Sequence, residues 1–310
     1  MTDPLLSADG RFRAYFHSAE AMRELADDSI ECVVTSPPYG LGIDYSNERS
    51  GDEAVGSART DGQIETPVLS MKDYDDYIRR MEPVWMETYR VMLPGAYACI
   101  NFGAIHAKAE YFGHSFMFPQ LDDVCRYWRK ELGAEFRWKY IWVARRTNHN
   151  YLGQNMPVLG SYPLPLEGQV IREIEEIAVL RKPGPACSGE RLERRRKSRM
   201  TLAEWRESFN QVWEFTGEGK YESGGVTHPA VFPLELPLRL IRAYSCVGDL
   251  VLDPFLGSGT TMLAARRLGR KCVGYEVETR YRDMIAEKTG ILGPPIGRGS
   301  KLSEFEEATV

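Results

Sequence analysis

The sequence predicts an α/β protein whose sheet is covered by helices on both faces. Three observations predict it: short apolar runs recur along the chain, turn residues flank them, and longer stretches of helical periodicity lie between them. With 310 residues, 43% apolar and 27% charged, the chain can bury a full core, and it reads as one large domain plus an insert.

The strand candidates, in order, are IECVVTS (30–36), YACINFG (97–103), YIWVARR (140–146), EEIAVLRK (175–182), DLVLDPF (249–255) and KCVGYEV (271–277). The helical candidates are YDDYIRRMEPVWMETYRVML (74–93), DDVCRYWRKELG (122–133), LPLRLIRAYS (236–245) and TTMLAARRLG (260–269). Two segments break the alternation. Residues 45–67, rich in Ser, Gly and charge, read as a mobile loop that could act as a lid or substrate clamp. Residues 182–226 read as an insert between the two halves of the sheet, leaving 1–181 and 227–310 as those halves.

The first strand candidate stops abruptly in Ser36-Pro37-Pro38-Tyr39. Two consecutive prolines fix φ and withdraw two backbone donors, so no neighbouring strand continues the ladder there. What is left is a stiff segment that presents acceptors.

The fifth candidate runs straight into a glycine-rich turn, DPFLGSGTT at 253–261, and then into a helix. Glycines there allow close approach of a ligand to the backbone. The turn lacks the lysine of GxxxxGK[ST], it has Met262 where GxGxxG needs glycine, and Leu256 where GxSxG needs glycine. A nucleoside cofactor without a pyrophosphate remains. Glu276, ending the next strand candidate, is an acid suited to accept hydrogen bonds from ribose hydroxyls.

Six cysteines without a CxxC and five histidines without metal-ligand spacing point to reduced thiols and no bound metal. Cys32, Cys99 and Cys272 lie in apolar runs and read as small core side chains. No apolar run is long enough to span a membrane and the first ten residues do not resemble a signal peptide, so a cytoplasmic protein is expected. The net charge of −5 argues mildly against a nucleic-acid partner. Its distribution argues the other way, because residues 191–199, RLERRRKSR, carry six basic side chains against one acid.

TSPPY at 35–39, DPFLGSGTT at 253–261 and the segment THPAVFPLELPLRLIRAYSCVGDLVL between them resemble the S-adenosylmethionine-dependent DNA amino-methyltransferases. The order of the motifs is similar to the circularly permuted beta subgroup. The resemblance covers about residues 11–290 and implies a Rossmann-like methyltransferase sheet, S-adenosylmethionine as cofactor, and double-stranded DNA as partner, at the nucleoid. It also implies that 182–226 is the target-recognition region, with Arg191, Arg194, Arg195, Arg196, Lys197 and Arg199 as phosphate contacts.

In the same reading Ser36 and the Pro37 carbonyl hold the target amine, Pro38 completes the catalytic segment, and Tyr39 stacks on a flipped base. Asp253, Phe255, Gly257, Ser258, Gly259 and Thr260 form the cofactor turn, and Glu276 is its ribose ligand. His228 either closes over the methionine end of the cofactor or caps the helix that follows. Ser before Pro-Pro-Tyr favours N4 of cytosine, with N6 of adenine as the alternative. A non-catalytic DNA-binding protein and an RNA or protein amine methyltransferase are the other classes, and Trp205, Phe209 and Trp213 in the insert read as core or as a duplex contact. A homodimer and a companion restriction endonuclease are left open.

Overall fold

The computed structural model describes residues 2–38, 70–103, 105–107, 112–114, 116–144, 174–185, 189–217 and 219–293. Five parallel strands make the centre of a nine-stranded sheet: β2 (Phe12–Phe16), β13 (Lys271–Tyr275), β12 (Leu250–Asp253), β3 (Ile30–Thr35) and β4 (Met92–Gly103), in that spatial order. Every residue of β3 is buried, as expected for a parallel strand covered on both faces. Beyond β2 lies β1 (Thr2–Leu6), antiparallel to it. On the other side β8 (Ile174–Arg181) and β7 (Glu135–Ala144) run antiparallel, and β9 (Val212–Phe215) closes the edge parallel to β7. Outside this sheet, β5 (Ile105–Ala107) and β6 (Phe116–Phe118) pair with each other.

Alternation along β3 divides the core. Cys32 and Val34 face one apolar cluster, together with Leu240 and Ile241 of α5 (Glu235–Tyr244), Met262 of α6 (Thr260–Arg267) and Ile285 of α7 (Arg282–Thr289). Val33 faces the other, together with Tyr77, Met81 and Trp85 of α1 (Met71–Val91) and Val124 and Trp128 of α2 (Gln120–Lys130). Helix α1 starts where Ser70 Oγ accepts the Asp73 N–H at 3.2 Å. It continues through Pro83, an interior proline that the buried Met81, Val84 and Trp85 around it hold in place by packing.

The insert and the two halves expected from the sequence are arranged differently. Residues 182–226 contain α3 (Gly189–Lys197), α4 (Leu202–Phe209), β9, and β10 (Gly219–Ser223), which pairs with β11 (Val226–Val231). Because β9 hydrogen-bonds to β7, this stretch is woven into the main sheet. Trp213 of β9 is core, stacked on Tyr140 at 4.4 Å, whereas Trp205 of α4 is 55% exposed. The amino-terminal strands β1 and β2 sit beside β13, so the first residues of the chain belong spatially to its carboxyl-terminal half. The loop expected at 45–67 lies outside the described residues, as does Cys187; the other five cysteines are buried and free. Among the described residues no helix is long and apolar enough to cross a membrane.

Candidate functional site

Strand order reverses between β12 and β3. From β12 the chain passes through α6 to β13 on one side, and from β3 through α1 to β4 on the other, with the two helices on opposite faces. In open α/β sheets the crevice at such a switch point, beyond the carboxyl ends of the strands, is where ligands bind. Both sequence motifs end there: Ser36 follows β3, and the glycine turn follows β12.

A buried hydrogen bond joins the two strand ends. Thr35 Oγ1 donates to Asp253 Oδ1 at 2.6 Å, and the same oxygen accepts the Phe255 N–H at 3.1 Å. Burial pushes the Asp253 carboxyl up to about 6, against the pull of these hydrogen bonds. Asp253 is therefore the fastener of the turn, with its carboxylate turned to protein groups. Phe255 is partly buried and meets the Trp85 ring of α1 edge-on at 5.8 Å.

The turn itself needs its glycines. Gly257 (φ 53°) and Gly259 (φ 87°) are left-handed, and a Cβ on the first would come within 2.8 Å of His228 Nε2, on the second within 2.8 Å of Thr289 Cγ2. Glu276 clasps the turn from β13: Oε2 accepts the Gly257 N–H at 2.7 Å and Oε1 the Glu278 N–H at 2.9 Å. Burial raises its carboxyl to about 7 despite those two donors. A cradle of bare backbone with an acid at its far lip fits a nucleoside and its ribose.

His228 lies in β11, buried, its ring 4.9 Å from that of Tyr281. It does not cap α5, whose N-cap residue is Leu234. Burial, with Lys288 and Arg280 nearby, lowers its pKa to about 4, so the imidazole is neutral at pH 7.

On the β3 side, Ser36 Oγ donates to the Asn101 carbonyl at 3.3 Å and is approached by Asn101 Nδ2 at 3.5 Å. That amide in turn donates to Glu175 Oε2 at 2.7 Å, so β4 and β8 orient the hydroxyl. Tyr77 OH of α1 donates to the Pro38 carbonyl at 2.6 Å and receives a hydrogen bond from Gln120 Nε2 of α2. Pro37, between them, is buried. Tyr39 lies outside the described residues. Asn101, Glu175, Tyr77 and Gln120 escape sequence reading because nothing near them in the chain marks them; their partners are brought to them by the sheet.

The basic run is not brought to this crevice. Arg194 pairs with Asp249 at 2.8 Å and Glu31 at 3.2 Å, and Arg191 with Asp249 at 3.6 Å. Glu31 and Asp249 stand at the amino ends of β3 and β12, about 20 Å from the site along a six-residue strand. Asp249 is fully buried, so these arginines neutralise charge inside the protein. Arg196 pairs with Glu193 at 2.8 Å on the surface, and Arg195, Lys197 and Arg199 are exposed at that same far end. No cluster of three or more His, Cys, Asp or Glu able to hold a metal occurs among the described residues.

A crevice at a sheet switch point, with a glycine cradle and carboxylate on one side and a proline-stiffened row of acceptors on the other, defines a nucleoside-cofactor enzyme. A family model described as DNA methylase (N6_N4_Mtase) matches residues 30–288, and the chain belongs to that family. It is 33% identical over 289 residues to the Type II methyltransferase M.MjaI of Methanocaldococcus jannaschii, covering 91% of this chain and 92% of that one. It is 32% identical over 296 residues to M.MthZI of Methanothermobacter thermautotrophicus, covering 89% and 76%. The structure resembles TTHA0409 of Thermus thermophilus, a putative DNA modification methylase solved with S-adenosyl-L-methionine (TM-score 0.63, 29% identity, 89% and 95% covered).

The ion-pair cluster makes a stability prediction. Arg194→Gln should cost about 1–3 kcal/mol, less than the roughly 3–5 kcal/mol of a fully buried pair, because Arg194 is partly exposed and Arg191 still faces Asp249. The urea unfolding midpoint measures this, and an unchanged midpoint would show that Glu31 and Asp249 need no arginine.

Proposed function

We propose that this DNA methylase transfers the methyl group of S-adenosylmethionine to N4 of a cytosine flipped out of double-stranded DNA. The observation that carries the choice of cytosine is a hydroxyl, Ser36 Oγ, rather than a carboxylate at the head of the acceptor row, fixed beside the cofactor turn by the Thr35–Asp253 bond.

When bound, S-adenosylmethionine supplies an electrophilic methyl on a sulfonium, so the protein's task is alignment more than covalent help. Gly257 and Gly259 provide the cradle, Glu276 the ribose acceptor, and Phe255 a wall against the adenosyl portion. The exocyclic amine of cytosine is a poor nucleophile because its lone pair is delocalised into the ring. Acceptors on both N–H bonds localise it. Ser36 Oγ can accept because its own proton is directed to the Asn101 carbonyl, and the Pro37 carbonyl is the second acceptor. Tyr39 stacks on the extruded base, which an aromatic platform stabilises once it has left the duplex.

The DNA meets the protein at the carboxyl ends of the strands. Arg195, Arg196, Lys197 and Arg199 contact phosphates only where duplex extends past the site to the opposite end of the sheet. Arg191 and Arg194 are held in ion pairs there. The similarity to Type II methyltransferases supports a place in a restriction-modification pair.

Incubation with methyl-labelled S-adenosylmethionine and unmodified duplex DNA, then mass spectrometry of the nucleosides, tests the base. Label on N4-methylcytosine is expected; label on N6-methyladenine would reverse the base and keep the mechanism. Asn101→Ala should lower turnover roughly five- to tenfold, the worth of about one hydrogen bond, with cofactor affinity unchanged. Equal losses in turnover and cofactor binding would remove Asn101 from the alignment of Ser36. Glu276 sets a pH dependence. Ribose hydroxyls favour its ionised form, so as pH falls below about 7 a proton competes with them and cofactor affinity should fall, by up to about tenfold per pH unit. Calorimetric titrations from acid to neutral pH read this, and Glu276→Gln should flatten the profile.

A further inference from the structure

The glycine turn is attended by a cation that its sequence motif does not contain. Lys288, in the last turn of α7, donates from Nζ to Ser258 Oγ at 2.9 Å and to Thr260 Oγ1 at 2.8 Å. The ammonium also lies 4.1 Å from the centre of the Tyr221 ring, on β10. Contacts from α7, the turn and the hairpin therefore hold it in one place. Both hydroxyl-bearing residues are buried, at 3% exposure each.

That place is the start of α6, where the first N–H groups of the helix gather the positive end of its dipole. Arg280 and Lys288 both act on His228, which is neutral at pH 7 and packs against Gly257. The margin of the turn on the α7 side is thus electropositive and lined by hydroxyl donors. S-Adenosylmethionine carries a single anionic group at neutral pH, the carboxylate of its amino-acid arm; its amino group and sulfonium are cationic. A carboxylate is the one part of the molecule that such a margin attracts, and it would give the ammonium a charge-assisted partner where Ser258 and Thr260 are neutral ones.

We propose that Lys288, together with the Ser258 and Thr260 hydroxyls, receives the carboxylate of the cofactor's amino-acid arm. The proposal rests on the cofactor site described above. It makes Lys288 a recognition residue that distinguishes the intact amino-acid arm from adenosyl compounds lacking it. Seen along the chain, the lysine is separated from the turn by β13 and the start of α7, which explains why motif reading passes over it.

Calorimetric titration of the full chain with three probes tests the idea: S-adenosylmethionine, its decarboxylated form, and 5′-methylthioadenosine, which lacks the whole amino-acid arm. Lys288→Met should weaken S-adenosylmethionine on the order of tenfold or more and leave the other two within about twofold of the native chain. Lys288→Gln, which can still hydrogen-bond both hydroxyls, should show the same selective loss, and Lys288→Arg should restore much of the affinity. An equal loss for all three probes would mean that the lysine only props the turn and would overturn the proposal. Unchanged affinity for S-adenosylmethionine would overturn it as well. Glu276→Ala separates this from failure of the site itself: it should weaken all three probes through the ribose. If that variant binds all three normally, the assignment of the crevice to the cofactor falls, and the proposal with it.

Discussion

A single buried hydrogen bond, from Thr35 Oγ1 to Asp253 Oδ1, ties together the ends of the two strands on which this site stands. The strands β3 and β12 are neighbours, yet their crossovers leave in opposite directions and cover opposite faces, so the sheet opens between their carboxyl ends. Without a tie, the acceptor row after β3 and the glycine turn after β12 would be positioned independently. Asp253 supplies the tie from full burial, where a carboxyl is costly unless its oxygens are engaged, and Phe255 N–H is the other donor that engages it.

The sheet has two chemically distinct ends. At the amino ends of β3 and β12, Glu31 and Asp249 are compensated by Arg191 and Arg194 of α3, an arrangement that anchors a highly basic helix to a chain of net charge −5. At the carboxyl ends, Asp253 and Glu276 are held by hydroxyl and backbone donors, and their carboxyls are raised by burial to about 6 and about 7. Carboxylates paired with arginine are fixed in their charge. Those held only by neutral donors stay responsive to a ligand that brings further donors, which is what a ribose does.

Around the acceptor row the protein invests in rigidity. The prolines fix the backbone, Tyr77 and Gln120 hold the Pro38 carbonyl from α1 and α2, and Asn101 with Glu175 directs the Ser36 hydroxyl from β4 and β8. Four elements thus converge on three residues. For a transfer in which the electrophile comes already activated, fixed geometry is the main thing a protein can contribute, and placing the supports on helices and strands keeps it within tolerance.

Short-range features were legible in the sequence itself: the all-apolar parallel strands, the two prolines that end β3, the left-handed glycines of the turn, and the acid one strand further on. Each follows from steric or hydration rules that act on a few consecutive residues, and together the motifs carried the family resemblance. Tertiary structure decided the rest. The aromatic Trp213, expected as core or duplex contact, became core when β9 joined the sheet, and the insert dissolved into that sheet. Arg191 and Arg194 turned inward because Asp249 is buried nearby, and His228 entered a strand instead of capping a helix. Asn101, Glu175, Tyr77 and Lys288 acquired their places only when strands and helices far apart in the chain met. A side chain's local sequence fixes its backbone, but its partner, and so its charge state and orientation, is set by whatever the packed sheet places within about 3 Å of it.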